Sequence, residues 1–273
     1  MVVWTRDVLN TVMTTEDPIS QQTTPSLADR MVLPEKPGAL RGQAWLTIQT
    51  VHAQRLFHGR AAIADKPVIV GLVGFANRLR VVWRGARGDD PYADWWLIKV
   101  DDGIAQVGDH IRNRQADLVM YLDELGMMEV EVATSRRPYR VSLNFANPYA
   151  YRGAGLLAEF DRLVCTALTA RHVGLLSGHA CKETISQAAH QLRSLFMIPQ
   201  GYRLLKIDRE QVRNKASRSH EARRLMGEIP GDVLSGERKA PLVPRMIAFP
   251  SGVARNVSLH PGALAVGTSS PDE

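Results

Sequence analysis

Between Arg136 and Phe145 the chain places hydrogen-bonding side chains at every second position, with Arg140, Ser142 and Asn144 standing between Tyr139, Val141, Leu143 and Phe145. Successive side chains of a strand point to opposite faces, so the three polar residues form one row and the apolar residues another. Arg, Ser and Asn carry the donors and acceptors that read base edges, and a two-stranded ribbon fits the major groove of B-DNA. Arg136 and Arg137, just ahead of the alternation, are of the type that holds backbone phosphates. The chemistry on offer is recognition by hydrogen bonds and charge.

A second candidate is a run of positive charge. Arg203 to Arg224 holds eight Lys and Arg against Asp208, Glu210 and Glu221, and so carries most of the formal net charge of +6. Arg213, Lys215 and Arg218 are its central residues. Each such cation on a phosphate releases a counterion and adds sequence-independent affinity. Interspersed acids are also the mark of an ordinary solvated helix face, so this run speaks for DNA only in company with the strand.

Other constellations carry less. Gly153-Ala154-Gly155 follows a strand and opens a helix, but no second strand ending in an acid follows at the spacing a dinucleotide site needs. Gly71-Leu72-Val73-Gly74 fails in the same way. Cys165, His172, His179, Cys181 and His190 lack the close pairs of a structural zinc site, and Cys165 next to Val164 reads as a buried thiol. Asp89, Asp90, Asp94, Asp101 and Asp102 cluster where acids complement a helix N-terminus. No nucleophile–base order, P-loop or zinc-protease motif is present. We therefore expect no enzyme, no cofactor and no metal.

These residues need elements to position them. Ala44–Gly59 is spaced for a helix, although Trp45–Ile48 also suits a strand. Ile69 to Trp83 steps at three and four residues, with Gly85 and Gly88 as its end. Asp90-Pro91 is an N-cap followed by proline at the first helical position, opening a helix toward Leu125 with a break at Gly103. Two alternating runs, Met128–Val132 and Tyr139–Phe145, precede helices over Gly153–Leu176 and Lys182–Phe196. Pro230–Pro250 is expected to be irregular. A strand before two helices is the order of a ribbon-helix-helix DNA binder, in which two chains pair their strands. A plain hairpin between the two runs, with Glu129 and Glu131 opposite Arg140 and Ser142, is equally compatible with the residues. The expected class is α+β, predominantly α-helical with a small antiparallel β element.

At 273 residues, with 45% hydrophobic and 23% charged, the composition is that of a globular protein. Two cysteines suit a reducing compartment, and the N-terminus meets charge at once instead of opening an apolar signal core. The longest apolar-looking run, Pro67 to Ala76, is about half of what a membrane helix needs. A cytoplasmic protein without a membrane partner is expected. Residues 1–40 read as a flexible leader, 41–250 as one DNA-binding domain with its ribbon-helix-helix-like part at about 136–197, and 251–273 as a flexible tail.

Two strings resemble a known family. Asp89-Asp90-Pro91-Tyr92-Ala93-Asp94-Trp95-Trp96-Leu97 is one, and Pro148-Tyr149-Ala150-Tyr151-Arg152-Gly153-Ala154-Gly155-Leu156-Leu157, continuing to Leu168-Thr169-Ala170-Arg171-His172-Val173-Gly174-Leu175-Leu176, is the other. Together they resemble a family of integrating conjugative element proteins related to the AcaB transcriptional regulators, over about residues 36 to 245. The resemblance implies a homodimeric regulator of transfer genes that binds double-stranded DNA through a ribbon-helix-helix-like core, alongside other transcription or transfer proteins. The long first helix and the extra Met128–Val132 strand depart from a compact core of that kind. The alternative is an accessory protein of element replication or transfer, binding single-stranded DNA on Trp95, Trp96, Tyr149 or Tyr151, or binding a protein partner.

Overall fold

The computed structural model describes residues 42–62, 67–124 and 128–245, so the expected leader and tail lie outside the described residues. Strand β1 (Ala44–Ile48) leads into helix α1 (Val51–His58), and the short strands β2 (Gly59–Arg60) and β3 (Ile69–Val70) pair antiparallel after it. Helix α2 (Leu72–Arg87), helix α3 (Pro91–Asp123), strand β4 (Tyr139–Leu143), helix α4 (Pro148–His172) and helix α5 (Gly178–Met197) follow. A 3-10 turn at Ile198–Gly201 and three short helices come last: α6 (Arg209–Arg213), α7 (Ser217–Met226) and α8 (Gly231–Ser235). The class is mostly helix with a small antiparallel β element, as expected.

Side-chain caps fix where the helices begin. Thr50 caps α1 by accepting from the Ala53 N–H, so the expected helix over 44–59 is instead a strand and a helix divided at Thr50. Asp90 accepts from the Tyr92 N–H with Pro91 at the first helical position of α3. Asn147-Pro148 repeats that signal, which starts α4 five residues before the expected Gly153. Ser177 caps α5 at Gly178, ahead of the expected Lys182. Pro230 precedes the five-residue α8 inside a stretch expected to be irregular.

The expected break at Gly103 does not occur, and α3 runs unbroken for 33 residues, about 50 Å. A Cβ at Gly103 would press on the side chains of Leu195 and Ile198, so this glycine makes room for α5 instead of ending a helix. Contacts between α3 and α4 rise together along both helices. Asp101 pairs with Arg152, Arg112 with Glu159 at 3.2 Å, and Gln115 donates to Thr166 Oγ1 at 2.9 Å. The two helices therefore run side by side in the same direction, and the segment carrying β4 returns the chain between them. Leu157, Phe160, Leu163, Val164 and Ala167 of α4 are fully buried at the centre of the core.

Candidate nucleic-acid interface

The strand at Tyr139 does not pair with Met128–Val132, the partner expected of a plain hairpin. Met128–Val132 forms no strand, and β4 lies antiparallel to β1 in the register Ala44↔Leu143, Trp45↔Ser142, Leu46↔Val141, Thr47↔Arg140 and Ile48↔Tyr139. Met128, Glu129, Glu131 and Val132 are all exposed, so that run has no apolar face to bury, whereas Leu46 and Ile48 do. The inward side of the ribbon is made by Leu46, Ile48 and Leu143, all buried, with Tyr139 edge-on to Phe57 of α1.

The outward side carries the candidate chemistry. Trp45 and Thr47 of β1 stand with Arg140 and Ser142 of β4 in one exposed row, and Asn144 is exposed just past the strand. The Arg140 guanidinium lies 4.8 Å from the Trp45 ring centroid, a cation–π contact that holds the side chain on the ribbon. Asn144 also lines a cleft of about 330 Å³ with Asn77 and Arg80 of α2. Arg136 and Arg137 are exposed in the loop entering β4, where Ser135 Oγ accepts from the Arg137 N–H. Five residues expected to contact DNA thereby lie along β4 or immediately flank its two ends.

A buried carboxylate fastens this ribbon to the helices. Asp161 of α4 is only 3% exposed and accepts from the backbone N–H groups of Gln49 and Thr50 and from the Thr50 hydroxyl. Gln49 Oε1 in turn accepts from the Ser135 N–H, and Thr169 Oγ1 accepts from the Ala133 N–H. Both strands of the ribbon are thus anchored at their shared end.

The basic run between Arg203 and Arg224 divides into two kinds of residue. Arg213 and Lys215 line a cleft of about 320 Å³ with His220 and Arg223, and Arg218 is exposed on α7. Arg213 also donates to the Leu234 and Ser235 carbonyls, and Lys215 has a left-handed backbone with φ of 52°. Among the described residues no hydrogen bond or ion pair joins this group to the ribbon. Arg209, by contrast, is core: it pairs with Asp94 at 2.5 Å and Asp89 at 3.1 Å and donates to the Val233 and Leu234 carbonyls.

The acidic cluster is structural for the same reason. Burial raises the Asp94 carboxyl above the usual range against the pull of Arg209, and burial lifts Asp90 to about 6. Asp90 accepts from the Tyr202 hydroxyl at 2.6 Å, and burial together with that carboxylate drives the Tyr202 pKa well above its ordinary value. Asp101 and Asp102 pair with Arg152 and Arg238. Cys165 is buried and its thiol is pushed up to about 11 by desolvation, which suits an inert packed thiol. Gly153 lies within α4, where a Cβ would meet the Phe75 ring, so its role is close helix packing.

The expected stacking aromatics do not form a platform. Trp96 is buried and donates from its indole N–H to the Ile198 carbonyl, and Tyr149 is fully buried with its hydroxyl accepting from the Leu242 N–H. Trp95 is covered by the Lys99 ammonium, 3.3 Å from its ring centroid. Only Tyr151 is exposed, and its hydroxyl bonds Phe145 and Leu143.

Sequence reasoning missed Trp45, Thr47 and Asp161. The alternation Ala44-Trp45-Leu46-Thr47-Ile48 was the available signal for the first two. Asp161 gave none, because an acid inside an apolar helix stripe does not name its partner. Among the described residues no helix is long and apolar enough to cross a membrane.

No curated protein matches this chain. A crystal structure of selenomethionine-containing AcaB from uropathogenic E. coli aligns with a TM-score of 0.49 and 16% sequence identity, covering 72% of this chain and 95% of that one. The family model of the transcriptional regulator AcaB matches residues 36–246, which takes in both anchored strands and every described helix. The chain belongs to the AcaB family of transcriptional regulators.

Proposed function

We propose that this protein is a sequence-specific regulator of transfer genes on an integrative and conjugative element, binding double-stranded DNA as a homodimer in the cytoplasm. The observation that carries this reading is the outward row of the β1–β4 ribbon, with Trp45, Thr47, Arg140 and Ser142 exposed together on a strand pair of the width a major groove admits. Arg140, Ser142 and Asn144 meet base edges, and Arg136 and Arg137 meet phosphates. Arg213, Lys215 and Arg218 add sequence-independent affinity. The whole of residues 41–250 serves as the DNA-binding domain, and no catalytic step is assigned to it.

The order β4, α4, α5 supports a ribbon-helix-helix-like core with one addition. In this chain β1 occupies one edge of β4, and the other edge is unpaired among the described residues. Two copies meeting on that free edge would set their β4 strands side by side, and that central pair, carrying the reading residues of both copies, would be the two strands that enter the groove, with each β1 at its flank. A polyvalent, two-fold reader of this kind selects palindromic sites.

Selection of purified protein on random duplexes at near-physiological salt, followed by sequencing, tests the reading. Enrichment of a palindrome is expected. Binding without enrichment would leave only a general DNA affinity, and preference for single strands would favour the accessory-protein alternative.

A further inference from the structure

Helices α1 and α5 bound a groove that none of the assigned residues occupies. Two adjoining clefts of about 400 and 500 Å³ share His52, Ala189 and Arg193 and so form one trough. Its α5 wall is a single helix face running from Gly178 through Ile185 to Arg193, about 22 Å by the helical rise. Cys181, Ile185, Ala189 and Leu56 are buried and give it an apolar floor.

The rim is cationic along its length. Arg60 of β2 lines the second cleft but donates to the Pro67 carbonyl; the four other cations are Arg55 on α1, Arg171 in the last turn of α4, and Lys182 and Arg193 toward the two ends of α5, with His52 between the clefts. No carboxylate lies among the described lining residues, and none of these four cations has an ion-pair partner among the described residues. Four cations with no acid between them raise the local concentration of anions. They are spread along the trough instead of converging on one point, with Lys182 and Arg193 about 17 Å apart along the helix. That spacing suits a strand carrying one charge every 3.4 Å of its axis, on the order of five phosphates.

The trough also adjoins the ribbon. His52 is three residues from Gln49, which accepts from the Ser135 N–H, and Arg171 is two residues from Thr169, which accepts from the Ala133 N–H. The segment that leads to Arg136 and Arg137 is therefore tied to the residues entering α1 and to the last turns of α4, each of which lends a residue to the trough.

We propose that the α1–α5 groove binds the phosphodiester backbone of duplex DNA flanking the site read by the ribbon. The inference rests on the DNA-binding reading above. The backbone lies along the rim, its oxygens on Arg55, Arg171, Lys182 and Arg193. Duplex beyond the bases under the ribbon therefore adds affinity without adding sequence preference.

The test uses full-length protein and a double variant, Lys182→Ala with Arg193→Ala, with far-UV circular dichroism and a thermal melt to show that the fold is kept. Both are titrated against a selected core duplex and against the same core extended by random flanks, over a range of salt. Wild type should bind the extended duplex more tightly. The variant should lose most of that gain, roughly tenfold or more, with a salt slope shallower by about one per cation removed. Base preference within the core should be unchanged. A variant that keeps the full gain and slope overturns the groove assignment alone. A wild type that binds no duplex overturns the DNA reading and the groove with it. Titration with inorganic pyrophosphate provides the remaining arm, because binding lost in the variant without loss of the flank gain would make the groove a small-anion site and sink the backbone assignment.

Discussion

The Asp161 carboxylate accepts from the Thr50 N–H at 2.9 Å and from the Thr50 hydroxyl at 2.6 Å, while that same hydroxyl oxygen accepts from the Ala53 N–H at 3.2 Å. One side chain thus starts α1 and docks the ribbon on α4. Asp161→Ala leaves two backbone donors and a hydroxyl without their charged acceptor, at a cost on the order of 3 kcal/mol. Urea unfolding should show that loss, and the surviving folded protein should discriminate less well between its preferred duplex and random duplex. A stable variant with full discrimination would mean that the ribbon is held elsewhere.

Of the residues proposed to read bases, Arg140 has the most defined pose, set across the ribbon against Trp45. Arg140→Ala should weaken binding to the preferred site by about 1–3 kcal/mol and binding to random duplex by much less. Arg140→Lys keeps the charge but not the planar fork, so it should lose nearly as much discrimination. Equal losses on both duplexes would move Arg140 from base edges to phosphate.

Arg209 and Arg213 are four residues apart, yet their substitutions should read out in different assays. Arg209→Ala strands the buried Asp94 without its partner, which costs about 3–5 kcal/mol of stability. Arg213→Ala removes only exposed hydrogen bonds and should leave the melt nearly unchanged, while weakening all duplexes alike and flattening the salt dependence. A normal melt for Arg209→Ala would contradict its place in the core.

Asp90 makes stability depend on pH in an unusual direction. Desolvation lifts its pKa from 3.8 to about 6, so between those values the folded protein holds a proton that the unfolded chain has released. Its contribution is complete below the lower value and falls away as pH rises through about 6. Asp90→Asn retains a capping oxygen for Tyr92 and sets an amide N–H, which the Tyr202 hydroxyl oxygen can accept, in place of the second carboxylate oxygen, and it does not titrate. The stability of wild type relative to this variant should therefore decline from pH 4 to pH 7. A difference that stays level across that range would show the carboxyl to be ionised throughout.

Local signals reached far into this fold. Asp90-Pro91 marked the start of α3, and the periodicity of Leu156, Phe160, Leu163 and Val164 marked the buried face of α4, because caps and amphipathic stripes are written in neighbouring residues. The alternation at Tyr139–Leu143 marked a strand but not its partner. Pairing is a long-range choice, decided here by the buried faces of Leu46 and Ile48 and by the lack of any buried face at Met128–Val132. Gly103 misled because a glycine that admits Leu195 is identical in sequence to one that ends a helix. Arg209 was counted with the basic run because only the fold brings Asp89 and Asp94 to it.

Strands β1 and β4 are joined by the whole of α1, α2 and α3 in sequence, though they are neighbours in space. Closing so large a loop is slow, and it is rewarded only once the intervening helices have packed. A pairing of such sequence separation is expected to form late, on a helical body that has already packed. A nascent or misfolded chain has the arginines but not the surface that arranges them, so under the proposed function selective affinity for one duplex would report that the chain's own folding is finished.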